Sequence, residues 1–202
     1  SMLTTWRACR AKHFWSTINA LYPTGKSVHL TAGAAIAAGV EAARRRVFAN
    51  PTLSQHAVLQ AAYIAFAQEW GDYEPQDTPY LTKTFENSFN ALRAYLEEYP
   101  PASDPVQPLV RSDGSPAVEY TFAIELPVLH PSGDPFLFVG RFDLLGLMHD
   151  LPVILDEKTT SQFTVDWAEK WDMRGQFLGY CYALQQQGIE CRDVVVRGIG
   201  IF

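Results

Sequence analysis

The first half of the chain places its apolar residues at helical spacing. Alanine, leucine and aromatic residues recur three or four positions apart, and Ser54 stands where a helix N-cap is expected. The string "PPASDP" stops the last of these segments, because proline cannot continue a helix. The predicted helices span residues 3–20, 31–49, 54–70 and 82–99. Residues 1–100 are therefore expected to form a mainly helical part.

The second half changes to the two-residue period of β-strands. Three strand-like runs follow one another closely, and a long helical segment that Gly188 can terminate separates them from a fourth run. The predicted strands span residues 117–128, 135–148, 151–159 and 193–202, and the helix spans residues 165–188. A helix that crosses between strands of one sheet predicts an α/β fold with a central mixed sheet flanked by helices. Residues 115–202 are expected to contain this sheet.

The composition fits one folded domain over residues 1–202. The chain is 48% hydrophobic and 19% charged, and no apolar run reaches the roughly 18 residues that a membrane helix needs. The last predicted strand runs to the final residue, as expected if the sequence is a fragment of a longer protein. Three scattered cysteines do not make a disulfide framework, and they favour a reducing, cytoplasmic setting.

The charge balance restricts the classes of partner. A net charge of −6 excludes a broadly basic surface for nucleic acid. It leaves a nuclease open, because carboxylates that bind metal count toward the negative total. The local basic run Arg44–Arg46 has two interpretations: it contacts nucleic acid, or it is a solvated helix end.

The string "VILDEKTTS" ends an apolar run with two acids and a lysine. Side chains alternate along a strand, so Asp156 and Lys158 share one face while Glu157 points to the other. If the preceding hairpin turns at His149-Asp150, the pairing register places Asp143 directly opposite Asp156. A four-residue loop keeps this register, whereas a three-residue loop breaks it.

Two aspartates in this register would crowd each other. Directly paired residues have Cβ atoms roughly 4.5–5.5 Å apart, and like charges at that distance destabilise a sheet unless a cation lies between them. A hard divalent ion with oxygen ligands meets this need, and Lys158 would face the same site. The alternative is a surface hairpin in which Asp143 and Asp156 point into water and Lys158 is a simple ion-pair partner.

Several strings in the same order resemble a known family. "GRFDLLG" followed by "VILDEKTTS" resembles the central motif of PD-(D/E)XK nucleases, in particular the RecB-like and phage-exonuclease branch. "RGQFLGYCYAL" is similar to the Gln-x-x-x-Tyr helix of that branch, with Gln176 and Tyr180 on one helical face. "VEYTFAIEL" is similar to the strand before the aspartate motif, and "WRACRAKHFW" is similar to an N-terminal Cys-x-x-Lys-aromatic helix.

The resemblance implies a metal-dependent DNA nuclease, in particular an exonuclease of recombination, repair or phage DNA processing. It assigns catalysis to Asp143, Asp156 and Lys158, with Mg²⁺ or Mn²⁺ bound by the two aspartates. Substrate positioning falls to Gln176, Tyr180 and Thr159. The implied setting is the cytoplasm of a bacterial or phage-encoded system, without a membrane, with DNA and a recombination partner or a fused helicase as partners.

One position departs from the family pattern. Many members carry Gly-x-x-x-His on an early helix and use the histidine as a metal ligand, but here Gly33 is followed by Ala37. Glu41 lies one turn later on the same face, where it is either a substitute ligand or a solvated helix residue. Some relatives hold an iron–sulfur cluster with four cysteines. Three cysteines are too few, so no cluster is expected.

Two further functional hypotheses remain open at the level of sequence. The missing histidine favours a catalytically inactive nuclease-like module that binds nucleic acid. An unrelated α/β protein with a chance motif would hold Asp156 far from Gln176 and Tyr180. The helical spacing of Trp167 and Trp171 favours packed core positions over base-stacking surfaces.

Overall fold

The computed structural model describes residues 5–6, 8–21, 27–74, 82–172 and 174–202. Its helices are α1 (Arg10–His13, continued by a π-helical turn over Phe14–Ile18), α2 (Val28–Ala49), α3 (Gln55–Trp70), α4 (Phe85–Glu98) and α5 (Gly175–Gln186). Parts of the first predicted helix, at residues 3, 4 and 7, lie outside the described residues. The N-terminal part is helical, as predicted.

Side-chain caps fix where two of these helices begin. Ser54 Oγ accepts a hydrogen bond from Ala57 N at 3.3 Å, which confirms the predicted N-cap of α3. Thr84 caps α4 in the same way, accepting from Asn87 N at 3.1 Å. Among the described helices, none is long and apolar enough to cross a membrane.

The strands form one mixed sheet, as the sequence predicts. They are β1 (Gln107–Pro108), β2 (Val118–Leu129), β3 (Pro135–Met148), β4 (Leu151–Thr160) and β5 (Asp193–Gly200). The order is β1-β3-β4-β5, and β2 also pairs with β3. All pairs are antiparallel except β4 with β5, which are parallel because α5 crosses between them.

The predicted helix over residues 165–188 is wrong in its first third. Two 3₁₀ turns, Val165–Trp167 and Glu169–Trp171, occupy that stretch, and extended backbone at Asp172 and Arg174 separates them from α5. The turns fold the segment over β5, where a Cβ at Gly198 would collide with Phe163 and Trp167. The predicted end of the helix is correct, because Gly188 adopts a positive φ of 77° just after it.

Three apolar clusters hold the layers together. Helices α2, α3 and α4 share one cluster with Ile199 of β5 and with Ile201, just after that strand. On one face of the sheet, Ile154 packs with Ala183 and Leu184 of α5. On the other face, Leu155 packs in a separate cluster. Trp167 and Trp171 are only half-buried and belong to none of these clusters, so their predicted core placement is wrong.

Candidate active site

The β3–β4 hairpin has the predicted two-residue turn. His149 and Asp150 both have positive φ, 51° and 65°, which is the backbone that a type I′ turn requires. The paired register runs from Met148–Leu151 to Leu144–Leu155. The ladder ends at this pair, so Asp143 and Asp156 do not form the predicted direct pair but lie just beyond it, close enough to interact electrostatically.

The two aspartates lie in one cluster with Lys158. Asp143 Oδ2 accepts a hydrogen bond from Glu157 N at 2.7 Å. Asp156 is 1% exposed, and its Oδ2 lies 2.5 Å from Lys158 Nζ. Apart from that ammonium, Oδ2 accepts no hydrogen bond from the described residues. The open surface hairpin considered from sequence, with its aspartates in water, is therefore wrong.

The electrostatics of this cluster favour a bound positive charge. Burial, followed by the Asp156 and Glu157 carboxylates, raises the pKa of Asp143 to about 7. Burial also raises the pKa of Asp156, and Lys158 opposes that shift. A carboxyl group that is buried beside other carboxylates binds either a proton or a cation more readily than one in water.

Helix α5 adds two polar side chains to the cluster. Gln176 Nε2 donates to Asp156 Oδ1 at 3.3 Å and to Tyr180 Oη at 2.8 Å. The Tyr180 hydroxyl in turn donates to the Arg141 carbonyl at 2.9 Å, and its ring packs edge-on against Phe142. The chance-motif hypothesis required these groups to be far apart, so it is wrong.

The first turns of helix α2 lie near Thr159, at the C-terminal end of β4. A Cβ on Gly33 would lie 3.7 Å from Thr159 Oγ1, so the start of α2 approaches the strand there. Glu41, the proposed substitute ligand, instead pairs with Arg45 at 2.7 Å. Arg45 also donates to the Val118 carbonyl at 2.9 Å. Glu41 thus has Arg45 as an ion-pair partner, and its role as a metal ligand stays a prediction.

The donor set fits a hard divalent cation. Within the described ranges, no three His, Cys, Asp or Glu side chains converge as a complete metal site. Two buried carboxylates are nevertheless enough protein ligands for Mg²⁺, which keeps several waters and takes further oxygens from a substrate phosphate. Asp143 and Asp156 provide such a pair, with oxygen as the only type of donor.

Comparison with protein families agrees with this geometry. A model of the PD-(D/E)XK nuclease superfamily matches residues 1–197. The chain belongs to this superfamily. No curated protein matches it. The strings that resemble the family's central motif lie on the β3–β4 hairpin, where Asp143, Asp156 and Lys158 lie together.

A buried ionic network lies on the opposite face of β4 in this superfamily member. Arg44 donates to both carboxylate oxygens of Glu157, at 3.2 and 2.5 Å, and Tyr95 donates to Glu157 as well. Arg197 pairs with Asp104 at 2.6 and 2.7 Å. Arg44 is 5% exposed, so neither interpretation from sequence, a solvated helix end or a nucleic-acid contact, holds for it.

Glu119 is a second residue that sequence reasoning missed. It occupies the β2 position between the pairs Val118–Leu144 and Tyr120–Phe142, which places it across from Asp143. Its φ is +52°, a conformation that costs a non-glycine residue of order 1–3 kcal/mol. Its Oε2 lies 2.7 Å from Arg141 Nε. The string "VEYTFAIEL" contains this acid, but only the pairing of β2 with β3 shows that it lies at the level of Asp143.

Proposed function

We propose that the chain is a metal-dependent DNA nuclease that hydrolyses phosphodiester bonds at Asp143, Asp156 and Lys158. The observation that carries this proposal is the burial of two carboxylates together, with the pKa of Asp143 raised to about 7, beside the Lys158 ammonium. When both carboxyls are ionised, such a pair destabilises the fold unless it binds a cation. Its presence in a nuclease-superfamily chain favours catalysis.

The proposed mechanism assigns one task to each group. Asp143 and Asp156 would hold Mg²⁺ or Mn²⁺, which supplies charge neutralisation at the phosphate and lowers the pKa of a bound water. The Glu157 amide fixes Asp143 Oδ2, and the Gln176 amide fixes Asp156 Oδ1. Lys158 Nζ places a positive charge beside Asp156, where it neutralises charge that develops on the phosphate oxygens.

The test is cleavage of end-labelled DNA by purified variants. Lys158→Ala and Asp143→Ala are expected to abolish Mg²⁺- or Mn²⁺-dependent cleavage, while circular dichroism shows a native fold. Glu125→Gln is the matched control, because Glu125 is an exposed acid on β2, far along the strand from Glu119. Near-wild-type cleavage by either site variant would refute the assignment.

Exonuclease action is the finer part of the proposal. The similarity to RecB-like and phage exonucleases favours it, together with a setting in recombination, repair or phage DNA processing. Linear DNA labelled at the 5′ or 3′ end, single- or double-stranded, should release short products progressively from an end. A circular substrate of the same sequence should remain intact. Nicking or linearisation of the circle would indicate an endonuclease instead.

A catalytically inactive nucleic-acid-binding module is the second candidate. Two observations favour it: Ala37 replaces the expected histidine, and no three potential ligands converge among the described residues. Calorimetric titration with Mn²⁺ separates the two functions. A nuclease should give saturable heat that Asp156→Asn removes, whereas an inactive module should give none.

A further inference from the structure

A cleft opens beside the candidate active site, on the α5 face of the sheet. It has a volume of about 390 Å³, and its walls include Trp167, Trp171, Arg174 and Phe177. Val196 also lines the cleft, and in the parallel register Val196 is the partner of Asp156. The cleft therefore begins one strand away from the carboxylate cluster.

Aromatic contacts run without a break from this cleft to the site. The ring centroids of Trp167 and Trp171 are 5.5 Å apart, and those of Trp171 and Phe177 are 6.3 Å apart. Phe177 continues to Tyr180 at 6.4 Å. The Tyr180 hydroxyl accepts from Gln176, which also holds Asp156. The cleft is thus connected to the carboxylate cluster through packed and hydrogen-bonded side chains.

Cations flank the indole ring of Trp171. The Arg174 guanidinium carbon lies 5.0 Å from the ring centroid, and Lys158 Nζ lies 6.0 Å from it. Arg192 adds a second guanidinium to the cleft and pairs with Glu190 at its edge, while Asp172 is the acid in the lining. An aromatic surface with adjacent guanidinium groups matches a π-face joined to a phosphate.

Exposed apolar side chains lie in the cleft and in the segment that leads to it. Val165 is 97% exposed, Phe163 is 52% exposed and Leu178 is 51% exposed. Contiguous exposed apolar side chains in a globular protein mark a contact surface. Phe163 and Trp167 have a structural task as well, because they cover Gly198 of β5. Trp171 is not among the side chains that cover Gly198, so it is the better residue for a test.

We propose that this cleft binds an unpaired nucleobase of the strand whose phosphate lies at Asp143, Asp156 and Lys158. The base stacks on the indole of Trp171, the Trp167 ring, inclined at 68° to that of Trp171, contacts the edge of the base, and Arg174 contacts the backbone. A base in a duplex has both of its faces already stacked, so the cleft selects single-stranded or frayed ends. The inference rests on the proposed nuclease function for the position of the phosphate, but stacking itself requires no metal and no cleavage.

The experiment measures binding without cleavage. Fluorescence anisotropy of a labelled short oligo-dT is recorded with the full chain in EDTA, alongside a duplex of equal length. Trp171→Ala should weaken binding of the single strand about tenfold, the size expected for loss of one base–aromatic stack. Trp171→Phe keeps an aromatic ring and should retain most of the affinity. Trp15→Ala is the matched control, because Trp15 is exposed and lies outside the cleft.

An abasic oligonucleotide isolates the base from the phosphates. The wild-type protein should bind it about as weakly as Trp171→Ala binds oligo-dT, and Trp171→Ala should cause no further loss. Equal binding of oligo-dT by wild type and Trp171→Ala would overturn the subsite, as would no wild-type binding or an equal loss in Trp15→Ala. If one of these results rules out the subsite but the protein still cleaves DNA, the proposed nuclease function stands. Trp171-dependent binding without any cleavage refutes only the nuclease.

Discussion

The two faces of β4 treat buried charge in opposite ways. On one face, Glu157 has both oxygens bound by Arg44 and accepts from the Tyr95 hydroxyl. On the other face, Asp156 and Asp143 are buried near each other, and Lys158, paired with Asp156, provides one ammonium for the two carboxylates. The stretch Asp-Glu-Lys therefore contains a compensated side and an under-compensated side.

This difference separates stability from function. A buried ion pair with complete hydrogen bonding holds its position, and removing one partner leaves an uncompensated charge. A buried pair of like charges destabilises the folded state, and a ligand that supplies positive charge removes that cost. Glu157 links the faces, because its main-chain N–H donates to Asp143 while its side chain is held by Arg44. The compensated side thus positions the under-compensated one.

Removing Arg44 should have the largest effect. Arg44→Met leaves the Glu157 carboxylate buried without its guanidinium, and we expect a loss of about 3–5 kcal/mol in the free energy of unfolding. Urea denaturation followed by circular dichroism measures this loss. Arg46→Met is the control, because Arg46 is exposed on the same helix.

A double variant tests the reason for that loss. Arg44→Met with Glu157→Leu removes both charges and should recover a large part of the stability, since no unpaired carboxylate remains. If Arg44→Met unfolds at the same urea concentration as Arg46→Met, the network does not hold β4 in place.

Removing the Asp143 charge from the other face should raise the free energy of unfolding of the metal-free protein, whereas removing Arg44 lowers it. The pKa of Asp143 is raised from 3.8 to about 7 in the fold, mainly by burial, so the folded protein binds a proton that the unfolded chain has released. Metal-free stability therefore falls as pH rises between these two values. Asp143→Asn keeps an acceptor for the Glu157 amide and should stabilise the metal-free protein above pH 7 by on the order of 3 kcal/mol.

The pH dependence makes this second prediction specific. Thermal unfolding in EDTA should show the gain above pH 7 and almost none near pH 3, where Asp143 is protonated in the folded protein and mostly protonated in the unfolded chain. Glu125→Gln should show no such dependence. A gain that is equal at both pH values would mean that the carboxylate charge of Asp143 is not its source.

The functional face was accessible from the sequence because local rules determine it. The turn at His149-Asp150 fixes the register, the register places Asp143 near Asp156, and the alternation of a strand puts Lys158 on the same side. Gln176 and Tyr180 share a face of α5 by their spacing of four. Each of these inferences spans a few residues or one hairpin.

The compensated face was not accessible, because tertiary packing assembles it. Arg44 is far from Glu157 in sequence, and its local context, three consecutive arginines in a helix, predicts exposure. The position of Trp171 was missed for a related reason. Spacing predicted one helix, but the segment is shaped by packing of Phe163 and Trp167 on Gly198, a contact that periodicity does not encode.

The smallest expected effect comes from one hydroxyl at the boundary of the functional face. Burial raises the pKa of Tyr180, so the hydroxyl stays protonated at neutral pH and donates to the Arg141 carbonyl while accepting from Gln176. Tyr180→Phe should cost about 1 kcal/mol of stability, the worth of one such hydrogen bond. Gln176 then loses its second partner, so Asp156 is held less firmly. We therefore expect kcat for cleavage to fall severalfold and the Mn²⁺ affinity to fall in parallel.

Tyr182→Phe, on the same helix, is the control and should change neither quantity. A fall in kcat with unchanged Mn²⁺ affinity would instead place Tyr180 on the substrate rather than on Asp156.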